Sequence, residues 1–107
     1  MSFFEYRQYR IKDGKRDRWV KFMEEEVIPF QISKGMVVVG SWCDEKEDDH
    51  YIWMRRFDSE EERVRLYKLV YEDPHWTNVI KPHIDEMLDR AKIIVTRLVA
   101  TPHSVIR

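Results

Sequence analysis

Two arginines and a set of aromatic residues carry what chemistry this chain can offer. Arg7 and Arg55 fall in alternating segments, FFEYRQYRI (3–11) and HYIWMRRF (50–57). A long cation inside a half-buried strand needs a counter-charge, and a guanidinium can hold a ligand carboxylate through two parallel hydrogen bonds. Tyr9, Trp42, Trp53 and Trp76 could stand beside the arginines as walls of a pocket between a sheet and its helices. Aromatic walls with a few convergent polar groups suit a small apolar or aromatic ligand. Arg7, Tyr9, Trp42, Trp53, Arg55 and Trp76 are therefore the candidate ligand-binding residues. The competing account makes the tryptophans ordinary core and pairs the arginines with Glu5 or with a partner chain. His75, beside Trp76, is the one acid–base candidate; the competing account has it decorate a helix start.

Other chemistries find little support. His50, His75, His83 and His103 contain no pair at the three- or four-residue spacing of common metal sites, so no metal is expected. No CxxCH occurs, and no cofactor is expected; haem ranks a distant second. Cys43 closes an apolar run with no histidine nearby and is expected to be a small buried group. Ser59 lies outside any G-x-S-x-G elbow. Three glycines form no phosphate-cradling loop, and DEKEDD (44–49) lacks the spacing and turn glycine of a calcium loop. It is expected to be solvated charge.

These residues must be positioned by a small fold. A chain of 107 residues suits one domain, 1–107. Nineteen basic and twenty acidic residues argue against a dedicated nucleic-acid or anionic-membrane surface. No apolar run approaches transmembrane length and the start lacks a signal-peptide core, so the expected location is cytoplasmic.

Residues 3–11 and 36–43 predict strands, and Asp44–Asp49 an acidic hairpin loop into a third strand over 50–57. The first helix is expected over 15–33, with Pro29 bending or breaking it. Asp58 is the expected N-cap of the second helix, with Glu61 as its capping-box partner and Val64, Tyr67, Val70 and Tyr71 as the buried stripe. Pro74 is expected to open a further helix, with a break or bend near Pro82. Residues 91–99 predict strand four, followed by an irregular tail. The order is β-α-β-β-α-β: an α+β, ferredoxin-like arrangement with a four-stranded antiparallel sheet and helices on one face. The strands carry apolar groups on both faces, and two helices can shelter only one. A second copy packed sheet to sheet is the economical remedy, so the chain is expected to form a homodimer, an α+β barrel.

The blocks EYRQYRIKDGK (5–15), EEEVIPF (24–30), VVGSW (38–42), YIWMRRFDS (51–59) with Arg63, and DPHW (73–76) carry a resemblance. Through them nearly the whole chain resembles the NIPSNAP-domain family of the dimeric α/β-barrel superfamily. Pro29 looks like the family's proline near the end of helix one, whereas Tyr67 stands where the family often has an arginine. The resemblance implies the fold and the dimer. It implies no defined reaction, because the superfamily spans cofactor-free monooxygenases, haem-binding enzymes, isomerases and dehalogenase-like proteins. The expected function is a dimer binding an apolar or aromatic small molecule, with no reaction assigned and cofactor-free monooxygenase or isomerase chemistry left open. The alternative is a non-enzymatic dimerisation and interaction module. An RNA-binding sheet built on Tyr51, Trp53, Arg55 and Arg56 is disfavoured, because YIWMRRF lacks the glycine of the RNP1 pattern.

Overall fold

The computed structural model describes residues 1–107. Its sheet runs β2-β3-β1-β4, with β1 Phe3–Arg10, β2 Val37–Cys43, β3 His50–Phe57 and β4 Ile94–Leu98. All pairings are antiparallel, and β1 lies between β3 and β4. Strand four is shorter than its pattern suggested, because residues 90–92 form a 3₁₀ turn. The helices are α1 Arg16–Phe22, α2 Ile28–Ser33, α3 Glu60–Tyr71 and α4 Lys81–Met87, and they cover one sheet face. Gly14 and Gly35, at φ +70° and +106°, make the turns that enter α1 and leave α2.

The two prolines expected to bend or break helices do not end them. α1 runs into α2 through a π-helical turn, Met23–Val27, and α4 is entered through another, Trp76–Ile80. Ile28 N–H donates to Met23 O and Lys81 N–H to Trp76 O, each five residues back. A proline ring in a regular helix meets the carbonyl four residues behind it. One extra residue in the preceding turn relieves that clash, and Pro29 and Pro82 each follow such a turn by two positions.

Two local expectations are corrected. Ser59, not Asp58, caps α3: its backbone is extended and its Oγ accepts from Glu62 N–H at 3.1 Å. Asp58 is instead engaged by Arg56 Nη1 at 2.6 Å. On α3 the buried stripe is Leu66 and Val70, with Tyr67 and Tyr71 half-buried beside them and Val64 exposed.

β3 is buried at Tyr51, Trp53, Arg55 and Phe57, which face the helices, and half-buried at Ile52, Met54 and Arg56, which face away. On the outer face, Phe4, Tyr6 and Gln8 stand between Leu98, Thr96 and Ile94 on one side and Arg56, Met54 and Ile52 on the other. The C-terminal residues lie against this face, where Arg56 Nε donates to Arg107 O at 2.9 Å. No helix is long and apolar enough to cross a membrane.

Candidate functional site

Arg7 and Tyr9 on β1 and Trp53 on β3 project toward the helices, since residues two apart share a sheet face. Above them the first π turn contributes Met23 and Val27, α2 contributes Gln31, and α3 contributes Tyr67 and Tyr71. The second π turn adds Trp76, and Lys81 and Ile84 follow on α4. Together with Trp19, Leu88, Arg90 and Ile93 these residues line an open-mouthed cavity of about 290 Å³. Eleven of the fifteen lining residues are hydrophobic; the polar four are Arg7, Gln31, Lys81 and Arg90. No histidine, cysteine or carboxylate lines it.

Behind one wall lies a buried polar network. Arg55 is 0% exposed, and its fork is spent on four acceptors. Nη1 donates to Gln31 Oε1 and Tyr71 Oη, both at 2.8 Å; Nη2 donates to Glu5 Oε1 at 2.7 Å and Tyr67 Oη at 2.8 Å. Glu5, equally buried, also accepts from Arg63 Nε at 2.8 Å and from the Tyr67 hydroxyl, 2.8 Å from either oxygen. Burial by itself would raise the Glu5 pKa. The Arg55 charge and the hydrogen bonds from Arg63, Tyr67 and Arg55 outweigh that, and hold it below its ordinary 4.5. Burial pushes the Tyr67 phenol up to about 12, so it stays neutral and donates.

Arg7 is the cation of this face that is left over. Its Nε donates to Tyr9 Oη at 2.8 Å, and its one carboxylate contact is Glu5 Oε1 at 3.6 Å, already taken by Arg55. At the cavity's other end Lys81 and Arg90 share Asp85, at 3.0 and 2.6 Å.

Comparison with known proteins now decides the family. The NIPSNAP family model matches residues 4–102. The chain belongs to the NIPSNAP family. No curated protein matches it. Among solved structures, a NIPSNAP family protein from Agrobacterium tumefaciens is 24% identical over the whole of both chains, at a TM-score of 0.89. A NIPSNAP-like domain protein from Burkholderia xenovorans is 17% identical over 96% of this chain and 88% of its own, at 0.86. An antibiotic biosynthesis monooxygenase is 16% identical over 94% and 99%, at 0.66. At these identities the likeness speaks for the fold, which is α+β and ferredoxin-like.

Within this NIPSNAP domain, four of the six residues singled out from sequence line one cavity: Arg7, Tyr9, Trp53 and Trp76. Arg55 does not reach it. With both terminal nitrogens occupied it acts as a positioning residue, holding Gln31, Tyr67 and Tyr71, which do line the cavity. Trp42 lies on the opposite face. On an unbroken strand it would share the inward face of Val38, but a bulge between Val38 and Gly40 shifts the register and turns it outward, opposite Ile52. There its indole lies over Gly40, where a Cβ would come within 2.7 Å of the ring. His75 is exposed, with its ring 5.2 Å from that of Phe30 and outside the cavity lining. Cys43 is exposed at the end of an edge strand, contrary to expectation.

The acidic loop is also more organised than solvated charge. Asp44 accepts from Lys46 and Glu47 N–H and sits 2.8 Å from His50 Nδ1, while Arg10 pairs with Glu47 and Asp49. Arg16 ties the loop to α1 through the carbonyls of Asp44 and Glu47.

Proposed function

We propose that this NIPSNAP domain binds an apolar or aromatic small molecule between its sheet and its helices, and works as a homodimer. The observation that carries the first part is the aromatic-walled cavity of about 290 Å³. Natural ligand pockets begin at about this size, and an engineered void of about 150 Å³ takes benzene. The volume therefore suits one ring with a short chain, or two fused rings. With no histidine, cysteine or carboxylate in the lining, the cavity is better equipped to hold and orient a ligand than to shuttle protons. Any cofactor-free chemistry there would have to draw on tyrosine hydroxyls and cationic side chains.

Three of the four tryptophans line the cavity, so the protein carries its own reporter. In a screen of aromatic and apolar metabolites, a true ligand is expected to change tryptophan emission and raise the melting temperature together, and Arg7→Ala is expected to weaken both. Hits that ignore Arg7→Ala would place binding elsewhere. A screen with no hits at millimolar concentration would favour the interaction-module alternative.

The homodimer rests on the outer sheet face. Trp42, Ile94 and Leu98 are 48%, 55% and 38% exposed there, apolar groups that a second copy packed sheet to sheet would cover. Light scattering is expected to give twice the chain mass at micromolar concentration, and Leu98→Asp to give the single-chain mass with the fold intact. A wild-type monomer would overturn this part.

A further inference from the structure

The cavity's charged side chains are of one sign. Trp19 Nε1, Trp53 Nε1 and Gln31 Nε2 are buried donors with no partner, and all three residues line the cavity. Gln31 Oε1, which would have balanced the set, is taken by Arg55. Tyr9 and Tyr71 each accept from an arginine, Arg7 and Arg55 respectively, and their hydroxyl hydrogens find no acceptor. Arg7 spends only its Nε in a hydrogen bond; its Nη1 lies 3.6 Å from Glu5 Oε1 and the side chain is half-buried, which leaves its terminal nitrogens open to an acceptor from outside the chain. Buried donors are ordinarily satisfied, and each one left unmet costs about 1–3 kcal/mol. Three left unmet in the walls of one void show that the lining is short of acceptors.

Charge points the same way. Glu5 serves Arg55 and Arg63 at hydrogen-bond distance before it serves Arg7 at 3.6 Å; Arg63 has Glu60 as a second partner at 3.3 Å, whereas Arg7 has no other carboxylate. At the other end one carboxylate, Asp85, serves both Lys81 and Arg90. The lining thus holds three cations and no acid.

From these two observations we infer that the cavity selects an organic anion: a flat apolar body whose polar end is a carboxylate or enolate that accepts hydrogen bonds and donates none. The inference rests on the cavity being a ligand site and narrows what that ligand is. Arg7 anchors the charge, Lys81 and Arg90 add to the positive lining, and the aromatic walls take the body. A neutral alcohol would bring no charge to these cations, and an amine would add a fourth to a lining that has no acid.

Three matched probes test this on the whole protein by calorimetry at neutral pH: trans-cinnamate, cinnamyl alcohol and cinnamylamine. Cinnamate is expected to bind tighter than the alcohol by about tenfold or more, with the amine weakest. Arg7→Met is expected to shrink the cinnamate advantage to about threefold or less. The wild-type ranking decides the matter even if that variant folds poorly. Alcohol or amine binding as tightly as cinnamate would overturn the preference for anions and leave the cavity reading standing. No heat from any probe up to about 10 mM would remove the cavity reading, and this inference with it.

Discussion

Glu5→Ala is expected to cost about 3–5 kcal/mol of folding stability, because it strands Arg55 in the core with no counter-charge. A fully buried guanidinium cannot shed its proton and has no route to water. Its remaining acceptors, Gln31, Tyr67 and Tyr71, are neutral dipoles. Each kcal/mol lowers the melting temperature of a domain this size by about 4–8 °C, so the variant should melt far below wild type. Arg63→Ala removes a bond to the same carboxylate but leaves Arg55 paired, and should cost much less. Denaturant unfolding of the two variants separates these cases; a Glu5→Ala loss under about 1 kcal/mol would mean the network contributes no more than an ordinary surface pair.

The same carboxylate makes the fold sensitive to acid. Its folded-state pKa lies below the ordinary 4.5, so the unfolded chain takes up the proton first as pH falls. The stability it confers is complete above that ordinary value and is lost as pH drops through the lower, folded one. Glu5→Gln, less stable at neutral pH, should therefore lose less further stability than wild type between about pH 5 and pH 3. Its profile should flatten without becoming level, because Asp44 is held down too, by hydrogen bonds from His50 and the Glu47 and Lys46 amides.

Local pattern reached the fold because every strand of the β-α-β-β-α-β order announces itself by alternation or by an apolar run. It reached half of the site for the same reason: parity along β1 and β3 puts Arg7, Tyr9 and Trp53 on one face. Parity failed for Trp42, since a single bulged residue in β2 reverses everything beyond it, and VVVGSW gives no sign of where that residue falls. Arg55 shows a different limit. Its position on the inward face was readable, but whether it meets a ligand or a protein acceptor depends on Gln31, Tyr67 and Tyr71, which lie 12 to 24 residues away on two helices. Tyr67 and Tyr71 were visible as a buried stripe, and their hydroxyls were the signal that the stripe was more than packing. The π turns were hidden because a proline inside a helical pattern is equally consistent with a kink, a stop or a widened turn.

Trp53→Ala tests whether the cavity is a rigid feature or a looseness that neighbours would fill. Trp53 is 2% exposed, its ring lies 4.8 Å from the Arg55 guanidinium and 6.4 Å from Tyr9, and it forms part of the cavity wall. Removing so large a buried side chain typically costs about 3–5 kcal/mol, with the spread set by how far the surroundings collapse. Here collapse is opposed from three sides: Arg55 is fixed by four hydrogen bonds, Tyr9 is held by Arg7, and Trp76 is seated edge-on to Tyr71 at 4.7 Å. The void should therefore persist, and indole should enter it. At about ten times its Kd, indole would return about 1.4 kcal/mol, visible as a rise in melting temperature that is larger in the variant than in wild type at the same indole concentration. Trp53→Phe, which keeps most of the wall and deletes the unmet N–H, should lose little stability. A Trp53→Ala protein indifferent to indole would mean that the walls move inward when unsupported, and that the cavity is only as firm as the side chain that was removed.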